Sequence, residues 1–311
     1  MSRRPALDPR DPGEKRGAPP RAGRTTLGWI VAHLAGCGVS SALLGCGASS
    51  ATHGAPAVVL EIAPLEAGVE ASGPAAEAAE EAPDPQRKGM IQIPSGSFEM
   101  GFDGCDTDEQ PVHTVKVEGF WMDVTEVTVE AYEQCVRAQT CQPAQTADEA
   151  DSRPEGILHC NSGRTDRARH PVNCVTWRQA DTYCRAQDKR LPTETEWEFA
   201  ARGTKGRTFP WGDTFLDEGL CWDRDDGTCP VGSFPDGNTP QGLMDMAGNV
   251  WEWTASHYCG YGEPDCDDTS YVDRGGAWVS DEERLVHAAH RGRGNARTAE
   301  SYIGFRCVRS R

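Results

Sequence analysis

Residues 189–203 read KRLPTETEWEFAARG. Thr193, followed three residues later by Glu196, forms a capping box. The hydroxyl accepts from a backbone N–H in the first helical turn, and the glutamate reaches back to the threonine N–H. The pattern predicts a helix that opens after Thr193, carries Trp197 and Phe199 and stops at Gly203. Thr176 and Gln179 repeat the box ahead of Ala180, Tyr183 and Cys184, whose spacing with Trp177 makes one apolar face. Thr128 caps a further helix through about Val136. Upstream, residues 90–94 and 96–101 read as strand, turn and strand, and residues 112–122 (VHTVKVEGFWM) alternate like one half-buried strand. Beyond 204 the chain is rich in Gly, Asp, Pro and Trp with few long periodic runs. A few short helices set among strands and long loops predict an α+β domain over 90–311 with little regular secondary structure.

The chain has 311 residues, 31 basic and 48 acidic, for a net charge of −17. Phosphate backbones attract basic patches, so this balance argues against a nucleic-acid partner. No stretch offers about 20 unbroken apolar residues, which excludes a polytopic membrane protein. Nine Trp indicate a packed core in the folded part.

Residues 1–24 hold seven basic and three acidic residues, and 25–45 hold no charge. Basic, then apolar, then small is the order of a secretory signal, assigned to 1–45. Leu43-Leu44-Gly45-Cys46 and Leu34-Ala35-Gly36-Cys37 both resemble the bacterial lipobox. Cys46 is preferred as the lipidated residue because it leaves the longer apolar segment, with Cys37 as the alternative. Residues 46–89 are rich in Ala, Pro and Glu and contain no aromatic residue. Such a segment cannot bury enough apolar surface to offset its ordering entropy, so it reads as a disordered tether. The expected location is the bacterial cell envelope, periplasmic or cell-surface, with a membrane contact through an N-terminal lipid.

Thirteen Cys fit an oxidising compartment. Setting Cys37 and Cys46 aside leaves an odd number, so at least one thiol lacks an intramolecular partner. Cys135/Cys141, Cys221/Cys229 and Cys259/Cys266 form short-range couples suited to stapling loops. None has the CxxC spacing of a zinc ribbon or a thioredoxin site.

Six phrases then fall in a recognisable order: HPVNCVTWRQADTYC (170–184), KRLPTETEWEFAARG (189–203), FPWGD (209–213), GLMDMAGNVWEWT (242–254), RGGAW (274–278) and GFRC (304–307). Together they resemble the formylglycine-generating enzyme, or sulfatase-modifying factor, family. The resemblance implies a single C-type-lectin-like α+β domain stapled by disulfides. Active members resemble copper oxidases of a target cysteine, with two thiols after the RGG phrase binding Cu(I). Here Ser280 stands where the first thiol is expected, and no Cys occurs between Cys266 and Cys307. A hydroxyl is no ligand for Cu(I), and the adjacent acids suit hard cations better. Copper is therefore not expected and no catalytic residue is assigned.

The resemblance further implies a Cys184–Cys307 disulfide. It implies a structural calcium held near Ala247, Gly248, Asn249, Val250 and Glu252, whose carbonyl and carboxylate oxygens suit that ion. It places Arg291, Arg293 and Arg297 along the groove that binds substrate in active relatives, where a peptide, protein or glycan is the expected ligand. His287 and His290 read as two surface or groove histidines, placed on opposite faces if the segment is a strand. The function expected is thus a non-catalytic, envelope-anchored binding domain. The alternative is an oxidoreductase of the same family using displaced ligands such as Cys259 and Cys266.

Overall fold

Among the described residues three α-helices form where the capping residues place them. Helix α1 (Val129–Arg137) begins at Thr128, whose hydroxyl accepts from the Ala131 N–H at 3.2 Å. Helices α2 (Trp177–Ala186) and α3 (Glu194–Arg202) both open on complete capping boxes, at Thr176/Gln179 and Thr193/Glu196. Gly203 ends α3 with φ +61°, a conformation that costs glycine little. The computed structural model describes residues 87–104, 106–146, 159–263, 266 and 268–311, all of them within one unit spanning 64–311. The signal segment, both lipidation candidates, nearly all of the tether and Cys105 lie outside the described residues. No helix among the described residues is long and apolar enough to cross a membrane.

Strands β1 (Met90–Ile93) and β2 (Gly96–Met100) follow the expected pattern. The single strand expected at 112–122 is two strands, β3 (His113–Val117) and β4 (Phe120–Asp123). The break at Glu118-Gly119 has a physical cause: the halves have different partners. β3 completes a hairpin with β2, while β4 lies between β1 and β9 (Val308–Ser310).

The loop-rich second half builds a four-stranded sheet. It contains β5 (Trp251–His257), β6 (Ser270–Arg274), β7 (Arg291–Asn295) and β8 (Ile303–Gly304), in the order β7-β6-β5-β8. The register aligns Trp253 with Asp273 and Asp273 with Gly292 on one face. It aligns Glu252, Arg274 and Arg291 on the other. The first face packs on α1 and α2 through Trp253, Tyr132, Tyr183, Val175 and Phe305. The second face meets α3, whose Trp197 and Phe199 fill a cluster with Phe98, Phe120, Met122 and Leu243.

Five disulfides hold these parts among the described residues. The three short couples form, and Cys184–Cys307 ties α2 to the end of the chain across 123 residues. Cys160–Cys174 is the fifth; no feature of the sequence singled it out.

Candidate functional site

Residues 274–280 leave β6 through Gly275 (φ +100°) and Gly276 (φ +72°). The chain turns so tightly there that a Cβ on Gly276 would fall 2.6 Å from the Leu285 carbonyl oxygen. The turn closes on Ser280. Its hydroxyl accepts from the Ala277 N–H at 3.0 Å, its own N–H donates to the Ala277 carbonyl at 2.9 Å, and its carbonyl accepts from the Asp223 N–H at 2.8 Å. Ser280 is buried and fully committed to shaping the loop. The following residues form a short 3₁₀ turn, Glu283–Val286, with Glu282, Glu283 and Arg284 in solvent. Cys259 and Cys266, the pair expected as displaced ligands, are bonded to each other. Every described cysteine is in a disulfide, so no pair of thiolates converges on a soft ion among the described residues.

A cavity of about 440 Å³ opens beside β7 and β8, lined by Trp251, Asp273, Gly292, Gly294, Thr298 and Tyr302 among others. Asp273 is 4% exposed, and burial raises its carboxyl to about 7, against the opposing pull of Arg274. Glycine is required above it. A Cβ on Gly292 would collide with the Asp273 carboxylate, and one on Gly294 with the Trp253 ring. A second cavity, of about 480 Å³, lies between the end of α1 and the start of α2. Its lining is polar and flexible, with Arg178 and three glutamines and no aromatic wall, so the Trp251 cavity is the better candidate for recognition.

The three groove arginines separate. Arg291 is a correction: it is buried, its guanidinium pairs with Glu194 at 2.6 and 3.0 Å, and it covers the rings of Tyr258 and Tyr261. Its charge is used up inside the protein, alongside the buried Glu198 bridged to Arg202 and Arg274. Arg293 is exposed, lies over Tyr258 and donates to Ser270 Oγ at 3.3 Å. Arg297 is exposed just beyond β7. His290 is also corrected: it is buried against Glu109, with Nδ1 2.9 Å from Oε1. The segment before β7 is a turn closed by the His290 N–H on the His287 carbonyl, so strand alternation does not apply there.

The expected calcium ligands need revision too. Both oxygens of Glu252 accept from Arg306 at 2.7 Å, and Oε2 also accepts from the Trp197 indole at 2.8 Å. The Asn249 side chain accepts from the Cys229 N–H and donates to Glu126 Oε1, both at 3.0 Å. Two further carboxyls missing from the expected set, Glu126 and Asp245, stand in the same pocket. Burial, then the neighbouring Asp245, pushes Glu126 well above the usual carboxylate range, and its Oε2 is buried without a hydrogen-bond partner. Three carboxyls share one guanidinium, Arg306, so ionising all three would leave net negative charge in a dry pocket. Hard oxygen donors with an orphaned carboxylate oxygen are the kind of ligand calcium takes, and here Glu126 and Asp245, with Glu252 held by Arg306, are the acids that would hold it. Asp245 was legible inside the MDMAGN phrase; Glu126, more than a hundred residues upstream, was not.

The model of the sulfatase-modifying factor enzyme 1-like domain matches residues 75–311. The chain belongs to the sulfatase-modifying factor family. This sulfatase-modifying factor domain is 32% identical over 274 residues to the inactive C-alpha-formylglycine-generating enzyme 2 of Bos taurus, covering 72% of this chain and 88% of that one. It is 31% identical over 295 residues to the formylglycine-generating enzyme of Mycobacterium tuberculosis, covering 70% and 97%. Among solved structures, PvdO from Pseudomonas aeruginosa superposes with a TM-score of 0.58 at 26% identity, covering 71% of this chain and 94% of that one. Similar relatives thus include one named as an enzyme and one named as inactive, so activity has to be argued from the site.

Proposed function

We propose that this sulfatase-modifying factor domain is a non-catalytic binding module that holds a peptide, protein or glycan in the Trp251 cavity. The reading rests on one observation: at the position of the first copper thiol stands Ser280, whose hydroxyl closes its own turn. Among the described residues no two thiolates are free to seat Cu(I), the ion by which a target cysteine would be oxidised. The cavity supports binding in its place. Trp251 and Tyr302 offer flat apolar walls, and Asp273, Thr298 and Asn295 offer polar groups at fixed positions. This combination suits a sugar ring or a single peptide side chain. Calcium at Glu126 and Asp245 would be structural, neutralising a buried acidic pocket. The lipobox-like Cys46, or Cys37, would tether the domain at the envelope.

The test is binding of the full chain to glycan and peptide arrays, repeated with Trp251→Ala. The expected result is a restricted set of hits lost in the variant. An empty array, or hits indifferent to Trp251, would remove the binding module. Metabolic labelling with a lipid precursor tests the tether: Cys46→Ala abolishes incorporation if Cys46 is the anchor.

A further inference from the structure

The 3₁₀ turn at Thr107–Glu109 lies against the segment that precedes β7 and brings Asp106 and Glu109 to His290, which is 181 residues beyond Glu109. Asp106, Glu109 and His290 each offer one ligand atom, and these atoms lie within 4.8 Å of one another. His290 Nδ1 lies 2.9 Å from Glu109 Oε1 and 3.4 Å from Asp106 Oδ2. One ring nitrogen carries at most one proton, so it cannot satisfy both carboxylates with strong hydrogen bonds. A zinc-sized ion bound tetrahedrally at ~2.1 Å has ligand–ligand edges of roughly 3.4 Å, close to these separations.

The arrangement is held from behind. The Glu109 carbonyl accepts from the Phe102 N–H at 3.0 Å, and a Cβ on Gly101 would strike that carbonyl oxygen. The His290 carbonyl accepts from Arg274 Nη1 at 2.7 Å, and its N–H donates to the His287 carbonyl at 3.0 Å. Glu109 is 3% exposed and His290 9%, so two of the three ligands sit in a fixed, largely dry wall. Asp106 is more open, at its side-chain exposure of 33%, and gives an entry side. Arg284 reaches the same carboxylate, Nη1 to Oδ2 at 3.2 Å, from an exposed position on the 3₁₀ turn after Ser280.

We propose that Asp106, Glu109 and His290 form a binding site for a borderline divalent transition ion of the zinc type. One imidazole and two carboxylates suit such an ion and do not suit Cu(I), which prefers sulfur. The site is distinct from the calcium pocket, which is built of oxygen donors alone around Arg306. Arg284 acts as a displaceable guard, and its departure frees the Asp106 oxygen for the metal.

The experiment is calorimetric titration of the full chain with Zn²⁺ in saturating Ca²⁺, alongside Co²⁺ absorption spectroscopy. One equivalent binds, and Co²⁺ gives the intense visible bands of a four-coordinate ion. His290→Gln and Glu109→Gln weaken binding at least 100-fold, and Asp106→Asn at least tenfold. Arg284→Ala strengthens it, a gain that a purely structural ion pair would not produce. Should the buried variants fail to fold, exposed Asp106→Asn and Arg284→Ala carry the test alone. Absence of a stoichiometric site, or Zn²⁺ affinity unchanged by both of those substitutions, overturns the proposal.

Discussion

Asp273 sits at an inward position of β6, opposite Trp253 and Gly292, where an apolar residue is ordinary. Burial holds its carboxyl at about 7, so the folded protein keeps this proton across a range in which the unfolded chain has released it. The contribution of Asp273 to folding stability is therefore largest below the normal carboxylate range. It falls as pH rises from about 4 to about 7 and is flat above that, by at most about 4 kcal/mol. Asp273→Asn should remove this share of the slope between pH 5 and pH 8, read by urea unfolding. An unchanged slope in the variant would mean that Asp273 is not the titrating group. The two glycines above it make a second residue-scale prediction. Gly292→Ala should cost about 1–3 kcal/mol through overpacking, and most of that cost should vanish in an Asp273→Ala background. Additive effects in the double-mutant cycle would show that the two positions do not share the space.

At the scale of elements, local rules were readable and long-range ones were not. Thr128, Thr176 and Thr193 announced their helices because a cap and its box lie within four residues. The pairs Cys135–Cys141, Cys221–Cys229 and Cys259–Cys266 were legible for the same reason, and Cys184–Cys307 through the family phrases. The strand read at 112–122 failed because alternation says nothing about a change of partner at Gly119. Arg291 and His290 were misplaced because their partners, Glu194 and Glu109, lie 97 and 181 residues away. The staples themselves can be ranked. In the chain-entropy model, removing Cys184–Cys307 costs about 5 kcal/mol and removing Cys135–Cys141 about 2 kcal/mol. Paired Cys→Ala variants compared by denaturant unfolding should keep that order. Equal losses would place the stabilisation in local packing instead of loop closure.

For the molecule as a whole, three ions are at issue: copper, calcium and zinc. Calcium at Glu126 and Asp245 should link metal to folding. At 100-fold above its dissociation constant it adds about 2.7 kcal/mol, which for a domain of this size raises Tm by roughly 5–10 °C. Chelation should lower Tm by that amount, and Glu126→Gln should make the protein indifferent to the chelator. A wild-type Tm unaffected by chelation would leave the buried acids to be balanced by protons alone.

Copper bears on function directly. The fold of an oxidising family is intact here, and every described sulfur of cysteine is locked to another. The most direct measurement is mass spectrometry of a target-cysteine peptide incubated with the full chain, Cu(I), reductant and oxygen. The non-catalytic account predicts that the peptide keeps its sulfur and no aldehyde appears over many hours. Formation of the aldehyde with turnover would contradict it.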